Sequence, residues 1–151
     1  MKPTTPEAAA PRLADFLCFA VYSANLAFGR AYRPILDELG LTYPQYIAIV
    51  ALWEEDDQTV SHLGEKLFLE SNTLTPILKK LESMGYLTRR RDPKDERQVR
   101  VSLTEAGRRL REKGLTMNLI KQTRLPPEEF AKLQKAVSNL RDSLMEAAAG
   151  E

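Results

Sequence analysis

At 151 residues, with 43% hydrophobic and 28% charged side chains, the chain has the length and composition of a single folded domain, residues 1–151, and not of a disordered polymer. Its one cysteine excludes an intrachain disulfide; the opening stretch MKPTTPEAAAPR lacks a signal-peptide core, and no apolar run spans a membrane, so a cytoplasmic protein is expected. The net charge of +1 says nothing for a polyanion, but RRRDPKDERQVR, residues 89 to 100, sets five arginines and a lysine against three acids.

From about residue 11 to 39 the chain reads as a long helix, bent near Gly29 and stopped at Gly40, with Leu13, Leu17, Ala20, Ala24 and Ala27 at spacings of three and four. A second helix is predicted from about Pro44 to Glu54, with Trp53 as a core residue. After the acidic turn EEDDQ come the short helix TVSHLGEKL, the link FLE, and a helix from about Ser71 to Met84 ended by Gly85. YLTRRR and RQVRVSL then form a hairpin: Val99, Val101 and Leu103 alternate with polar residues, and Asp92-Pro93 fits a type I turn. A helix capped by Thr104 is predicted to run to about Gln122, and Pro126-Pro127 opens a last one. There Phe130, Leu133, Val137, Leu140 and Leu144 form a narrow apolar seam that needs a partner helix.

The expected fold is therefore mainly α with a small two-stranded β wing: a winged helix-turn-helix core at about 43–103. Helices at about 11–39 and 104–148 carry apolar stripes that the core cannot cover, which predicts a homodimer. On the Ser71 helix, Leu74, Leu78 and Leu81 share the inward face, while Asn72, Thr75, Pro76 and Lys79 face outward. Short polar residues followed by lysine suit base edges and phosphates in the major groove; any solvated helix face is the competing reading. Helix, turn, helix and basic hairpin in direct succession favour DNA. Arginine at the hairpin tip suits the minor groove, and Asp95, two residues before Arg97, is placed to fix the loop through charge-assisted bonds to a neighbouring arginine.

The stretch LTEAGRRL after a DERQV wing resembles the MarR family of bacterial repressors. FLCFAVYSANL, LTYPQYIAIVALWE, LGEKLFLESNTLTPILKKLESMGYLTRRR and DERQVRVSLTEAGRRL are similar, more narrowly, to its OhrR branch, which senses organic hydroperoxides. The resemblance spans about residues 13 to 112 and implies a repressor, not an enzyme, that releases a pseudo-palindromic double-stranded operator when Cys18 is oxidised. It implies that Cys18 is the sensor, that Tyr32 and Tyr43 hydrogen-bond to it, and that Asp95 and Arg97 are the wing pair. Ser71, Asn72, Thr73, Thr75, Lys79 and Arg89 are the further candidate DNA contacts.

A thiolate is the nucleophile towards peroxide, and free cysteine at neutral pH is mostly thiol. In a helix begun at residue 11, Cys18 lies about two turns in, beyond much help from the dipole. Hydroxyl donors are then the candidate stabilisers. Tyr22 is one turn away on the same face, whereas Tyr32, 14 residues on, lies roughly 21 Å along a straight helix and must act across a dimer unless the helix folds back. TMNLIKQTRLPPEEF holds no second cysteine, so the sulfenic acid is expected to condense with a low-molecular-weight thiol or to oxidise further. The competing readings are a structural thiol, a MarR-type repressor released by a phenolic or drug-like ligand, and a thiol peroxidase. Against the last, Asp15 stands where peroxiredoxins place threonine. His62 is the only histidine, so no metal site is expected, and no cofactor.

Overall fold

Leucines at positions 74, 78 and 81 lose all contact with solvent, and the elements around them are arranged to cover that one helical stripe. The computed structural model describes residues 9–114 and 119–150. In order it holds a 3-10 turn (Leu13–Asp15), α1 (Leu17–Leu39), α2 (Tyr43–Glu54), β1 (Gln58–Thr59), α3 (Val60–Leu67) and α4 (Ser71–Ser83). There follow β2 (Leu87–Arg91), β3 (Val99–Leu103), α5 (Glu105–Gly114), α6 (Leu119–Thr123) and α7 (Pro127–Ala149). The chain divides into two compact units, Met1–Leu110 and Arg111–Glu151.

In the first unit, Ile49 and Leu52 of α2, Leu63 of α3, the α4 leucines, Leu87 of β2 and Val101 of β3 are fully buried together. Each such side chain contributes about 1.5–3 kcal/mol relative to exposure. Helix starts follow local chemistry. Thr42 accepts from the Gln45 amide while the Gln45 side chain accepts from the Thr42 amide, a complete capping box that sets α2 one residue earlier than predicted. Thr59 caps α3 through the His62 amide. The turn between α3 and α4 passes so close to Gly64 that a Cβ there would lie 2.6 Å from the Leu69 carbonyl oxygen.

Three expectations need correcting. The first helix begins at Leu17, not near residue 11: Phe16 is extended (φ −84°, ψ 113°), and an Arg12–Asp15 pair closes the preceding turn. Gly29 does not interrupt α1; the residue inside it that cannot donate a backbone hydrogen bond is Pro34. The wing has a third strand, because Gln58 and Thr59 pair with Val101 and Arg100, giving antiparallel order β1-β3-β2. Two residues are too few to show an alternating pattern. The helix predicted from Thr104 to about Gln122 is helical over Glu105–Gly114 (α5) and Leu119–Thr123 (α6), and residues 115–118 lie outside those described.

In the second unit α6 packs on α7. The α7 seam is only partly covered: Phe130 and Leu140 are half-buried, while Leu133, Val137 and Leu144 are exposed.

Candidate nucleic-acid interface and thiol centre

Because Leu74, Leu78 and Leu81 anchor α4, the opposite face of that helix is fixed outward. Ser71, Asn72, Thr73 and Lys79 are exposed, and Thr75 is half-buried with its hydroxyl donating to the Ser71 carbonyl at 2.7 Å. The wing is tied to this helix. Arg89 donates its backbone amide to Glu82 at 2.8 Å and its guanidinium to the same carboxylate at 3.2–3.3 Å. The amide bond foremost, and then the guanidinium, hold the Glu82 carboxyl below its ordinary range. Arg89 is therefore engaged within the fold, joining β2 to α4.

At the wing tip Asp95 accepts from the Arg97 side chain at 3.1 and 3.4 Å and from the Arg97 amide at 3.2 Å. The Arg97 side-chain bond is the main reason the Asp95 carboxyl is depressed. Arg97 itself stays 90% exposed, a cation held in place yet facing solvent. Between α4 and the wing lies a cleft of about 210 Å³ that brings together Ser71, Thr75, Arg89 and Arg97.

Sequence reasoning missed the clamp beneath the wing. Asp57, one of the acidic-turn residues, accepts from Arg100 at 3.0 Å, Arg90 at 3.2 Å and Ser102 at 3.2 Å, and Arg100 also reaches Asp92 at 3.2 Å. Asp56 accepts from the Leu103 amide and from Arg108. Opposite charges at the two ends of the pairing were the only available signal; partners 43 and 45 residues apart leave no local spacing to read.

The thiol sits differently from expectation. Cys18 is the second residue of α1, not two turns inside it, and its side chain is exposed. The first intrahelical bond here runs from the Ala20 amide to the Phe16 carbonyl, so the amides before it lie at the positive end of the helix dipole. Cys18 thus takes no part in the first unit's core. Tyr22 is exposed one turn along.

Tyr32 is buried near the other end of α1, its ring 5.5 Å from Phe28 and 6.1 Å from Tyr43, the latter at the start of α2. Burial first, then the neighbouring Tyr43 and Tyr46, raise the Tyr32 hydroxyl above its usual value, so it remains a proton donor at neutral pH. The structure thus brings Tyr32 and Tyr43 together but does not bring either to Cys18 of the same chain. Among the described residues no group of three potential metal ligands forms.

A helix-turn-helix with a tied wing, followed by a helical segment with a partly uncovered apolar seam, defines a winged-helix transcriptional regulator. Residues 30–113 match the family model described as Transcriptional regulator SarA/Rot. The organic hydroperoxide resistance transcriptional regulator of Bacillus subtilis is 42% identical over 88% of this chain and 92% of its own. The structure of reduced AbfR bound to DNA is 36% identical, covers 89% of this chain and 94% of that one, and superposes with a TM-score of 0.74. Overoxidised AbfR bound to DNA, also 36% identical, covers 87% and 94% with a TM-score of 0.69; AbfR is a protein of Staphylococcus epidermidis. The chain belongs to the MarR-type winged-helix regulators, in the organic hydroperoxide resistance branch, and carries a single cysteine.

Proposed function

We propose that this protein is a homodimeric repressor that holds a pseudo-palindromic duplex in its reduced state and releases it when an organic hydroperoxide oxidises Cys18. The observation that carries the reading is the placement of Cys18 in the exposed first turn of an unbroken α1 whose far end holds Tyr32 against Tyr43. With α1 continuous, about 21 Å separates Cys18 from Tyr32 of its own chain. The tyrosine hydroxyls reach the thiol only from a second copy. Ser71, Asn72, Thr73, Thr75 and Lys79 take the major groove and Arg97, oriented by Asp95, the minor groove, with Arg89 fixing the angle between helix and wing.

In the chemical step the Cys18 thiolate attacks the distal peroxide oxygen. The O–O bond breaks, the alkoxide leaves and takes up a proton as the alcohol, and sulfur becomes a sulfenic acid. A low-molecular-weight thiol then displaces water, leaving a mixed disulfide. The apolar Phe16, Leu17 and Phe19 around the thiol suit an organic peroxide substituent. As a regulator of chromosomal DNA the protein acts in the cytoplasm; no helix of the described residues is long and apolar enough to cross a membrane. The one-domain reading, with the winged core carried between dimerising helices, belongs to the same proposal.

The test is duplex binding with and without an aryl alkyl hydroperoxide plus a small thiol. Native protein is expected to release DNA as its mass rises by one thiol adduct per chain. Cys18→Ser is expected to bind equally and ignore the peroxide. Release while Cys18 is still reduced would instead favour a ligand-gated repressor.

A further inference from the structure

Cys18 and Tyr32 lie on one helix, α1. In the shared site proposed above, Tyr32 of each copy reaches Cys18 of the other, and the two-fold of a homodimer repeats that contact at both ends. Two such contacts, about 21 Å apart, lay the α1 helices side by side and antiparallel, because a tyrosine and a cysteine together cannot bridge a third helix between them. The axis then crosses α1 midway between residues 18 and 32, at Asn25. At about 100° per residue, Cys18, Tyr22, Asn25, Gly29 and Tyr32 fall in a band of about 80°. Their alternating steps of four and three are those of a seam between two paired helices. This stretch is also the part of α1 that its own chain leaves bare. Tyr32, Leu36 and Leu39 are buried, whereas Val21, Tyr22, Leu26 and Phe28 around the seam are exposed.

Two residues of the seam have no reason within one chain. A glycine inside a helix is destabilising relative to alanine, and a Cβ added at Gly29 would meet nothing within 4 Å, unlike Gly64 and Gly107, where backbone crowds in. The Asn25 side chain is exposed and engages no partner among the described residues. We propose that the two α1 helices cross antiparallel on a two-fold at residue 25, with the Asn25 amides bonded to each other and the Tyr22 ring over the partner's Gly29. The level fits, since the axis sets residue 22 opposite residue 28, one step from Gly29. An amide both donates and accepts, so two asparagines on an axis satisfy each other. One polar pair in a helix seam fixes its register at some cost in stability. Here that register holds Tyr32 against the partner's thiol, which makes Asn25 a positioning residue. The register rests on the shared-thiol reading and deepens it.

The direct test is a cysteine on the axis. In a Cys18→Ser background, Asn25→Cys is expected to run almost wholly as a covalent dimer on a non-reducing gel after air oxidation, since a disulfide needs Cα atoms within about 7 Å. Arg30→Cys, about 15 Å along the helix from its own copy, should remain uncrosslinked. Asn25→Leu, with the native Cys18, is expected to sediment as a dimer yet to be oxidised several-fold more slowly by an aryl alkyl hydroperoxide, because the seam can slip. A role in stability alone would leave that rate unchanged in an intact dimer. Gly29→Leu should shift the protein towards monomer, although leucine favours the helix itself. The register would be overturned, and the homodimeric repressor left intact, by any of three results in a dimeric native protein. They are an Asn25→Cys variant that crosslinks no better than Arg30→Cys, an Asn25→Leu variant oxidised at the native rate, or a Gly29→Leu variant that dimerises unchanged. Tyr32→Phe oxidised as fast as native protein would overturn the shared-thiol reading itself.

Discussion

Asp57 gathers Arg90, Arg100 and Ser102 onto one carboxylate while its own backbone sits in the left-handed region at φ 55°. That conformation costs most non-glycine residues about 1–2 kcal/mol, and aspartate tolerates it best through local hydrogen bonds. Here the side-chain network over-determines it, because Arg100 is held at once by Asp57 and Asp92. The Arg100 bond is the main cause that lowers the Asp57 carboxyl; for Asp92 it is the Lys94 amide, then Arg100. Both carboxyls are lower folded than unfolded, so the stability they supply is complete above the ordinary carboxylate range. It is lost as pH falls below about 4, through the folded values. Native protein should therefore keep a constant denaturation midpoint from pH 7 to 5 and lose it steeply below 4. Asp57→Asn should start lower and fall less steeply; an acid limb parallel to the native one would show the clamp to be idle.

At the scale of elements, α5 is placed by contacts of two kinds. Thr104 caps it by accepting from the Gly107 amide and donates to the Gly85 carbonyl, while Trp53 of α2 donates its indole N–H to the Gly107 carbonyl at 2.9 Å. Gly107 is also where the helix crosses β2's approach, since a Cβ there would overlap the Tyr86 carbonyl oxygen. Gly107→Ala should thus cost about 1–3 kcal/mol, against the gain of up to about 1 kcal/mol that the same change brings in an open helix. Chemical denaturation measures it, and a stabilised variant would mean that the crossing relaxes freely. The Thr104 cap was legible because capping is a relation between neighbours in sequence; the glycine's role was not, because Tyr86 is 21 positions away. The same division runs through the candidate site. The α4 stripe follows from helical spacing alone, whereas the Arg89–Glu82 tie and the Asp57 clamp depend on partners in other elements, and the start of α1 on a local turn, Arg12–Asp15 with an extended Phe16, that apolar spacing does not register. The start of α1 mattered most, since it moved Cys18 into the first turn.

For the whole molecule, the decisive quantity is apolar surface left to a second copy. Leu17, Tyr22, Leu133 and Leu144 are each 60%, or nearly so, open to solvent, and they recur along two helices of 23 residues each. One exposed leucine means nothing, but rows of them on helices about 34 Å long mark an interface. A stable dimer needs about 1,600 Å² of buried surface, which helices of that length can supply. Val137, in the middle of the α7 seam and 44% exposed in one chain, is where a charge would separate the copies without disturbing the first unit's core. Sedimentation at micromolar concentration should show native protein as a dimer and Val137→Asp shifted towards monomer. Losing the second recognition helix should weaken operator binding sharply. A further consequence separates this assembly from a merely structural one. If Tyr32 and Tyr43 reach Cys18 only from the partner, Val137→Asp should also slow thiol oxidation, to the rate of the Tyr32→Phe, Tyr43→Phe double variant. Rapid oxidation in a monomeric Val137→Asp protein would show that each chain activates its own thiol, and the intersubunit arrangement would be wrong.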